Sequence, residues 1–442
     1  LSILYQRQEL YSTIDINEMN IPNFPYSPLS LVVPGFYSVN EKPITIEKIC
    51  KILKTIPSQK KPRKIRIIGS NGKKYKYLLK GREDLRLDQR VMQLFLLINC
   101  ILQEDKYITE KNIKIHGFPI IPLATNAGLI AWAERGETLY SLINWHRRII
   151  KSNYVNEKNK LMVYDDNSNI EQNYIHFIFN NNIGYAIKLS SIQKLELYRT
   201  LCSLSPDDDL RESLWLRSTN SEIWFSQINN FARSNGLMSI IGYIVGIGDR
   251  HPSNILVKKD TGNVVHIDFS DVFEKANFRS YVHETVPFRL TRMIVRALGP
   301  SGFHGVFEFT AKKILSLLRK NKETILAFLD IFVQDPISDT LWYSNSDNKM
   351  ISDDDSNLNL SLSSVSESIS NCIDDEIADA DLNEKLRFSI LEKAIERVKD
   401  KLNGNEFENQ KLEPSEQTDK LIEIATNEMN LAQMFYGWVP YW

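Results

Sequence analysis

One hairpin signature constrains this chain more than any other feature. Gly248-Asp249-Arg250-His251-Pro252-Ser253-Asn254 leads into the apolar run Ile255-Leu256-Val257-Lys258. A turn at Asp260-Thr261-Gly262-Asn263 follows, then Val264-Val265-His266-Ile267 and finally Asp268-Phe269-Ser270. Two apolar runs around a glycine-containing turn predict a β-hairpin. The open ends of an antiparallel pair lie side by side, so Asn254 and Asp268 are expected to be neighbours. Asp249 precedes Asn254 by five residues on the same loop. Two oxygen ligands suited to Mg²⁺, with a carboxylate beside them to orient a hydroxyl, are the parts that phosphoryl transfer needs. Asp and Asn are also ordinary turn formers, and only the joint pattern separates the two explanations.

The bulk properties narrow the field. A chain of 442 residues is long enough for two or three packed domains. A net charge of −1 gives no signal for nucleic acid or for a strongly acidic partner. Cys50, Cys100, Cys202 and Cys372 are scattered, without CxxC pairs, which argues against a disulfide framework or structural zinc. No apolar run reaches membrane-spanning length, and no secretory signal is visible. The chain begins with Leu1 rather than Met, so it is expected to be part of something longer.

Along the chain, residues 1–60 carry prolines at 22, 25, 28, 34, 43 and 57 and read as an irregular lead-in packed on a domain. From Arg63, alternation through Ile65 and Ile67, the turn Gly69-Ser70-Asn71-Gly72, and alternation through Tyr75, Tyr77 and Leu79 predict a second hairpin. Residues 83–103 switch to helical period, with Val91, Leu94, Phe95, Ile98, Ile101 and Leu102 on one face. The stretch 118–130 reads as β with Pro119 and Pro122, and from 132 onward the pattern is mainly helical, except for 151–185. Met238 to Gly246 is nearly all apolar and predicts a buried helix that holds the Asp249 loop. Between 344 and 384 there are eleven acidic residues against one base, with ten serines from Ser344 to Ser370, which predicts a disordered insert. The chain closes on Phe435-Tyr436-Gly437-Trp438-Val439-Pro440-Tyr441-Trp442. A terminus this apolar must dock on the core, a partner or a membrane surface, and the core is the first choice.

Candidate nucleotide contacts lie in the first half. Ser70 sits in a turn whose backbone N–H groups suit phosphates, although most Asn-Gly turns are only turns. The spacing is not that of a Walker A loop. Lys80 ends the second hairpin's closing strand and can reach a phosphate as a point charge; alone it would read as a solvated lysine. Glu83 and Asp88 follow closely enough to hold its ammonium, or simply start a helix. Trp132, at the junction of the β-rich and helical parts, offers an indole to a purine or fills core. His251 can stabilise transferring charge or serve as a structural hydrogen bonder.

These stretches together resemble the phosphatidylinositol-3-kinase-related protein kinases, nearest to their target-of-rapamycin branch. The order Asp249-Arg250-His251 separates them from ordinary protein kinases. Supporting stretches are Leu78-Leu79-Lys80-Gly81, Glu83-Asp84-Leu85-Arg86, Arg90-Val91-Met92-Gln93-Leu94-Phe95, Ser221-Glu222-Ile223-Trp224-Phe225 and Val286-Pro287-Phe288-Arg289-Leu290-Thr291-Arg292. The tail from Tyr436 resembles a FATC terminus. The resemblance implies an α+β, bilobal protein-kinase-like fold of the PI3/PI4-kinase type. Residues 61–131 would form a β-rich N-lobe, 132–410 a mainly helical C-lobe, and 411–442 the FATC-like segment.

It further implies ATP with Mg²⁺ or Mn²⁺ as cofactors. Lys80 would contact phosphate, with Glu83 and Asp88 holding it and Ser70 in the covering turn. Trp132 would form the adenine hinge, and Leu256 and Ile267 the pocket floor. Asp249 would orient the substrate hydroxyl, His251 would assist the transition state, and Asn254 and Asp268 would bind the metal. Residues 271–285 would form the activation loop. Protein hydroxyls would be the substrates, in a Ser/Thr kinase of growth and nutrient signalling; a phosphoinositide kinase or a catalytically weak scaffold are the alternatives. Segment 151–200 would meet a WD-repeat β-propeller subunit, and regions outside this chain a large adaptor. The expected location is cytoplasmic, including endomembrane surfaces, with peripheral membrane association through the tail. Departures from the family pattern are Ser270 for the glycine after Asp-Phe, Leu87 and Gln89 before Arg90, and Ala131 beside Trp132. The serine is expected to restrict φ at the hinge after the metal ligand.

Overall fold

The structure is a computed structural model that describes residues 13–15, 29–37, 40–56, 61–158, 189–274, 284–334, 392–407 and 410–442. The acidic insert, residues 159–188 of the propeller segment and 275–283 of the activation loop lie outside the described residues.

The N-terminal part forms one antiparallel sheet. Its strands are β1 (Thr13–Asp15), β2 (Leu29–Val32), β3 (Thr45–Ile49), β4 (Ile52–Thr55), β5 (Arg63–Gly69), β6 (Lys74–Gly81), β7 (Ile120–Ala124) and β8 (Ala127–Ala131). The path runs β1-β4-β5-β6-β8-β7, with β3 pairing both β2 and β5. Four strands therefore lie before residue 56, so the described parts of the lead-in, expected to be irregular, contribute strands to the sheet. These strands are three to five residues long, and β3 pairs with register shifts on both sides, so their alternation is too short to read. Pro122 lies on β7, at the edge of the sheet, where its missing N–H breaks no inner ladder. The sheet's inner face packs Val33, Ile46, Ile67, Tyr77, Leu129 and Ala131. Tyr77 is fully buried, and its hydroxyl donates to the Pro34 carbonyl at 2.7 Å.

Helix α1 (Arg86–Leu102) buries the face its period predicts: Val91, Leu94, Phe95, Ile98, Ile101 and Leu102. It starts three residues later than the periodicity suggests, because the Asp84 carboxylate captures both the Arg86 N–H and its guanidinium. After α2 (Lys106–Glu110) and β7–β8, the chain crosses at 132–135 to β9 (Gly136–Thr138), which belongs to a second sheet of order β11-β10-β9. Helices α3 (Leu139–Lys158), α4 (Ser191–Leu204), α5 (Asp209–Arg217) and α6 (Ser221–Val245) follow. The second half of α6 is buried all round, as an apolar circumference requires. Gly246 closes it at φ +66°, and a Cβ there would lie 2.6 Å from the Glu274 nitrogen.

Strands β10 (Ile255–Lys258) and β11 (Val264–His266) form the predicted hairpin, with Ile255 opposite His266 and Val257 opposite Val264. Gly262 turns it at φ +77°; any Cβ would strike the Gln227 carbonyl oxygen at 2.4 Å. Helices α7 (Arg292–Ala297), α8 (Val306–Lys320), α9 (Lys322–Gln334), α10 (392–403), α11 (Pro414–Thr426) and α12 (Glu428–Gln433) complete the lobe. Two lobes joined at 132–135 are the bilobal α+β arrangement. No helix among the described residues is long and apolar enough to cross a membrane.

The tail turns into the core. Trp438, Tyr441 and Trp442 are buried in the same cluster as α6 and α8. The Arg289 guanidinium donates to the Trp438 and Val439 carbonyls at 2.6 and 2.7 Å, and Arg292 Nε to the Tyr441 carbonyl at 2.6 Å. Trp442 stacks on Tyr140, their ring centres 5.7 Å apart. Docking on the core, the first choice for this tail, is what these rings do.

Candidate active site

The hairpin sorts its residues by face. Ile255, Val257 and Val264 join the helical core. Alternation then sends Asn254, Leu256, Val265 and Ile267 to the opposite face, toward the first lobe. Leu256 pairs with Thr138 of β9, immediately after the crossover that carries Trp132. Leu256 and Ile267 thus share one face of the hairpin, and Trp132 opens the crossover that leads to β9. Trp132 is half-buried, and Lys64 Nζ lies 3.6 Å from its ring centre.

Asn254 and Asp268 meet as the topology demands: the Ile267 N–H donates to the Asn254 carbonyl at 3.0 Å, one residue before Asp268. Asn254 is buried, and its Nδ2 donates to the Asp249 carbonyl at 3.0 Å and to Asp249 Oδ2 at 3.3 Å. The amide is thereby oriented with Oδ1 as the atom available for a cation. Burial would raise the Asp268 carboxyl, but Lys80, Arg250 and two hydrogen bonds from Ser270 lower it below the usual carboxylate range, so it stays charged. An amide oxygen and a charged carboxylate fit Mg²⁺, which is bound by few protein oxygens plus phosphates.

Lys80, next to last on β6, pairs with Glu83 at 3.2 Å. Burial alone would lower its pKa, yet Asp268, Glu83 and Asp88 outweigh it and the ammonium is held charged. Asp88 holds the other side differently: its carboxylate accepts the Phe269 N–H at 3.1 Å, locking the residue after Asp268. Phe269 is itself buried edge-on against Phe95. Burial pushes Asp88 up to about 6, partly offset by Lys80 and by the Phe269 N–H. An acid whose folded pKa exceeds its unfolded value of 3.8 stabilises the fold at low pH and loses that contribution as pH rises through about 6. Wild type should therefore lose about 2 kcal/mol relative to Asp88→Asn between pH 4 and 7. Urea melts of both proteins across that range measure the difference.

His251 Nδ1 accepts the Ser253 N–H at 3.1 Å, which places the proton on Nε2, 3.8 Å from Asp249 Oδ2. Burial, then the Arg250 and Arg289 charges, lower its pKa. The ring is neutral at pH 7 and acts as a hydrogen-bond donor rather than a cation.

Ser70 is not brought to this site. The ladder pairs Ile68 with Lys74 and Arg63 with Leu79, so the Ser70 turn and Lys80 occupy opposite ends of one strand pair. At about 3.3 Å per residue that separates them by roughly 20 Å. The Ser70 hydroxyl instead accepts the Thr45 N–H at 3.1 Å, tying the turn to β3. The end of the sheet near Lys80 is where β4 passes to β5, Thr55 lying opposite Arg63.

Ser270 also differs from expectation. Positive φ falls at Asp249, Asp268, Phe273 and Glu274 and not at Ser270, so no glycine is needed there. Its hydroxyl and amide both bond the Asp268 carboxylate. Ser270→Gly removes one such bond, worth about 1 kcal/mol. Isothermal titration should show a roughly fivefold weaker Mg²⁺–nucleotide complex rather than a gain.

Arg250 carries weight that the sequence did not disclose. It is buried and donates to the Gly248, Ile267 and Asp268 carbonyls at 2.6, 3.0 and 2.5 Å, stitching the Asp249 loop to the strand before the metal ligand. Its partners are backbone atoms up to 18 residues away, invisible to motif spacing.

This fold and this site define a kinase of the phosphatidylinositol 3- and 4-kinase type, and the chain belongs to that family. The family's sequence profile, phosphatidylinositol 3- and 4-kinase, matches residues 74–341, and that of the FATC domain matches 411–442. Among curated relatives, the serine/threonine-protein kinase mTor of Drosophila melanogaster is 37% identical over 94% of this chain and 17% of its own length. The serine/threonine-protein kinase TOR2 of Saccharomyces cerevisiae is 35% identical over 97% of this chain and 17% of its own. The solved FAT and kinase domain of CtTel1 superposes with a TM-score of 0.70 at 25% identity, covering 97% of this chain and 27% of that one. The chain thus spans less than a fifth of the curated relatives named here.

Proposed function

We propose that this chain is the catalytic part of a TOR-like serine/threonine protein kinase that transfers the γ-phosphate of ATP to protein hydroxyls. The observation that carries the reading is the convergence of Asp249, Asn254 and Asp268 at the hairpin's open end, with charged Lys80 facing Asp268. Bound Mg²⁺ would neutralise phosphate charge. Asn254 Oδ1 and Asp268 would hold it, and Lys80 would hold phosphate oxygens. Trp132, Leu256 and Ile267 would enclose the base. Asp249 would accept a hydrogen bond from the attacking hydroxyl, and neutral His251 would donate Nε2–H to developing charge.

Protein rather than lipid is favoured by the sequence of the activation segment 271–285, which has only two bases, Lys275 and Arg279, against Asp271, Glu274 and Glu284. A phosphorylated head group calls for a more basic loop. A WD-repeat propeller on 151–200, an adaptor bound through regions outside this chain, and a cytoplasmic or endomembrane location belong to the same reading.

The test offers the chain labelled ATP–Mg²⁺ with a protein substrate and phosphatidylinositol in parallel. Label on protein supports the reading. Label on lipid replaces the substrate class, and nucleotide binding without transfer supports the scaffold.

A further inference from the structure

We propose that Glu284 is a positioning residue for the reaction: from the far end of the activation segment it holds the Asp249 amide and fixes the loop that presents the Asp249 carboxylate. This deepens the kinase reading and rests on it.

Asp249 has φ +57°. A non-glycine residue keeps that conformation only where its surroundings over-determine it. Both its backbone groups are tied. The carbonyl accepts from Asn254 Nδ2 at 3.0 Å, a contact within the same loop. The N–H donates to Glu284 Oε1, across 35 residues of sequence. The residue before, Gly248, is pinned from both sides: its N–H donates to the Asp271 carbonyl at 2.8 Å, and its own carbonyl accepts from Arg250. Glu284 thus supplies a hold on Asp249 from outside the 248–271 region.

Glu284 is in turn braced from behind. Thr285 Oγ1 donates to the Asn430 carbonyl at 2.6 Å, and Arg289, four residues further on, clamps the tail carbonyls. Glu284 borders a pocket of about 200 Å³ lined also by Gly246, Ile247, Lys401 and Glu406. Arg250, Asp271 and Asp249 are the charges that act on it, and burial pushes its carboxyl up to about 7. Replacing it with a small residue would open this cavity to the Asp249 amide and leave water as the acceptor. The geometry makes 284–289 a brace running from the docked tail to the catalytic loop.

The test uses the full chain as wild type, Glu284→Gln and Glu284→Ala. Each is read by hydrogen exchange at the Asp249 amide and by kcat and KM for ATP. Alanine should speed exchange about tenfold and lower kcat about 10- to 100-fold, the range a misplacement near 1 Å produces, with KM for ATP within about twofold. Glutamine keeps an acceptor oxygen and should restore both exchange and kcat to within about fivefold of wild type. An Asp249 amide as protected in the alanine variant as in wild type overturns the proposal. So does a parallel change in kcat and KM that tracks a lowered Tm, which would mark a merely structural role. Absence of transfer by wild type would sink the kinase reading, while the exchange comparison would still decide the role of Glu284.

Discussion

Asp268→Asn should abolish phosphoryl transfer, lowering kcat by about 10³-fold or more, close to 4 kcal/mol of transition-state stabilisation, while the protein stays folded. Asparagine has the carboxylate's shape but not its charge. The folding contacts at this point are made by backbone: the Asp268 carbonyl accepts from Arg250, and the Phe269 N–H reaches Asp88. These survive the substitution. What is lost is the anion that Lys80, Arg250 and Ser270 keep ionised. Lys80 loses the carboxylate that acts on it most strongly but retains Glu83 at 3.2 Å, so nucleotide affinity should fall far less than kcat. Steady-state kinetics beside a thermal melt checks both halves. Retained activity would mean that the metal is held elsewhere.

Arg289→Met should destabilise the protein by about 3 kcal/mol. The guanidinium is buried and donates to two tail carbonyls. Removing it leaves the buried Trp438 carbonyl without this donor, at about 1–3 kcal/mol, and takes one bond of about 1 kcal/mol from the Val439 carbonyl, which keeps the Trp442 N–H; relief of the buried charge returns part of that. Burial lowers the Arg289 pKa to about 9, the direction expected of a charge held in a dry place. The melting temperature should drop by roughly 5–10 °C, with the tail from Phe435 exchanging amide protons sooner than α6. An unchanged melt would mean that the packing of Trp438, Tyr441 and Trp442 and the Arg292 bond hold the tail without Arg289.

Much of this was legible in the sequence, for identifiable reasons. The β10–β11 hairpin announced itself because two apolar runs flank one glycine turn, and a hairpin's topology then fixes Asn254 beside Asp268. Helix α1 was readable because its buried face is long enough to show a period. Strands β1 to β4 were not, because none exceeds five residues and two pairings are bulged. Ser70 was misplaced because a turn signal says where the chain reverses, not which end of the sheet faces the cleft. The eight residues of β6 between that turn and Glu83 hold the correction. Arg250 and Glu284 escaped because both act on backbone groups brought near only by the fold.

The most direct test of the account is a high-resolution structure of this chain with Mg²⁺ and a non-hydrolysable ATP analogue. The account predicts a metal about 2.1 Å from Asn254 Oδ1 and an Asp268 oxygen, phosphates against Lys80, and the base between Trp132 and Leu256. A metal bound away from Asn254 and Asp268, or a nucleotide seated outside the interlobe cleft, would contradict it.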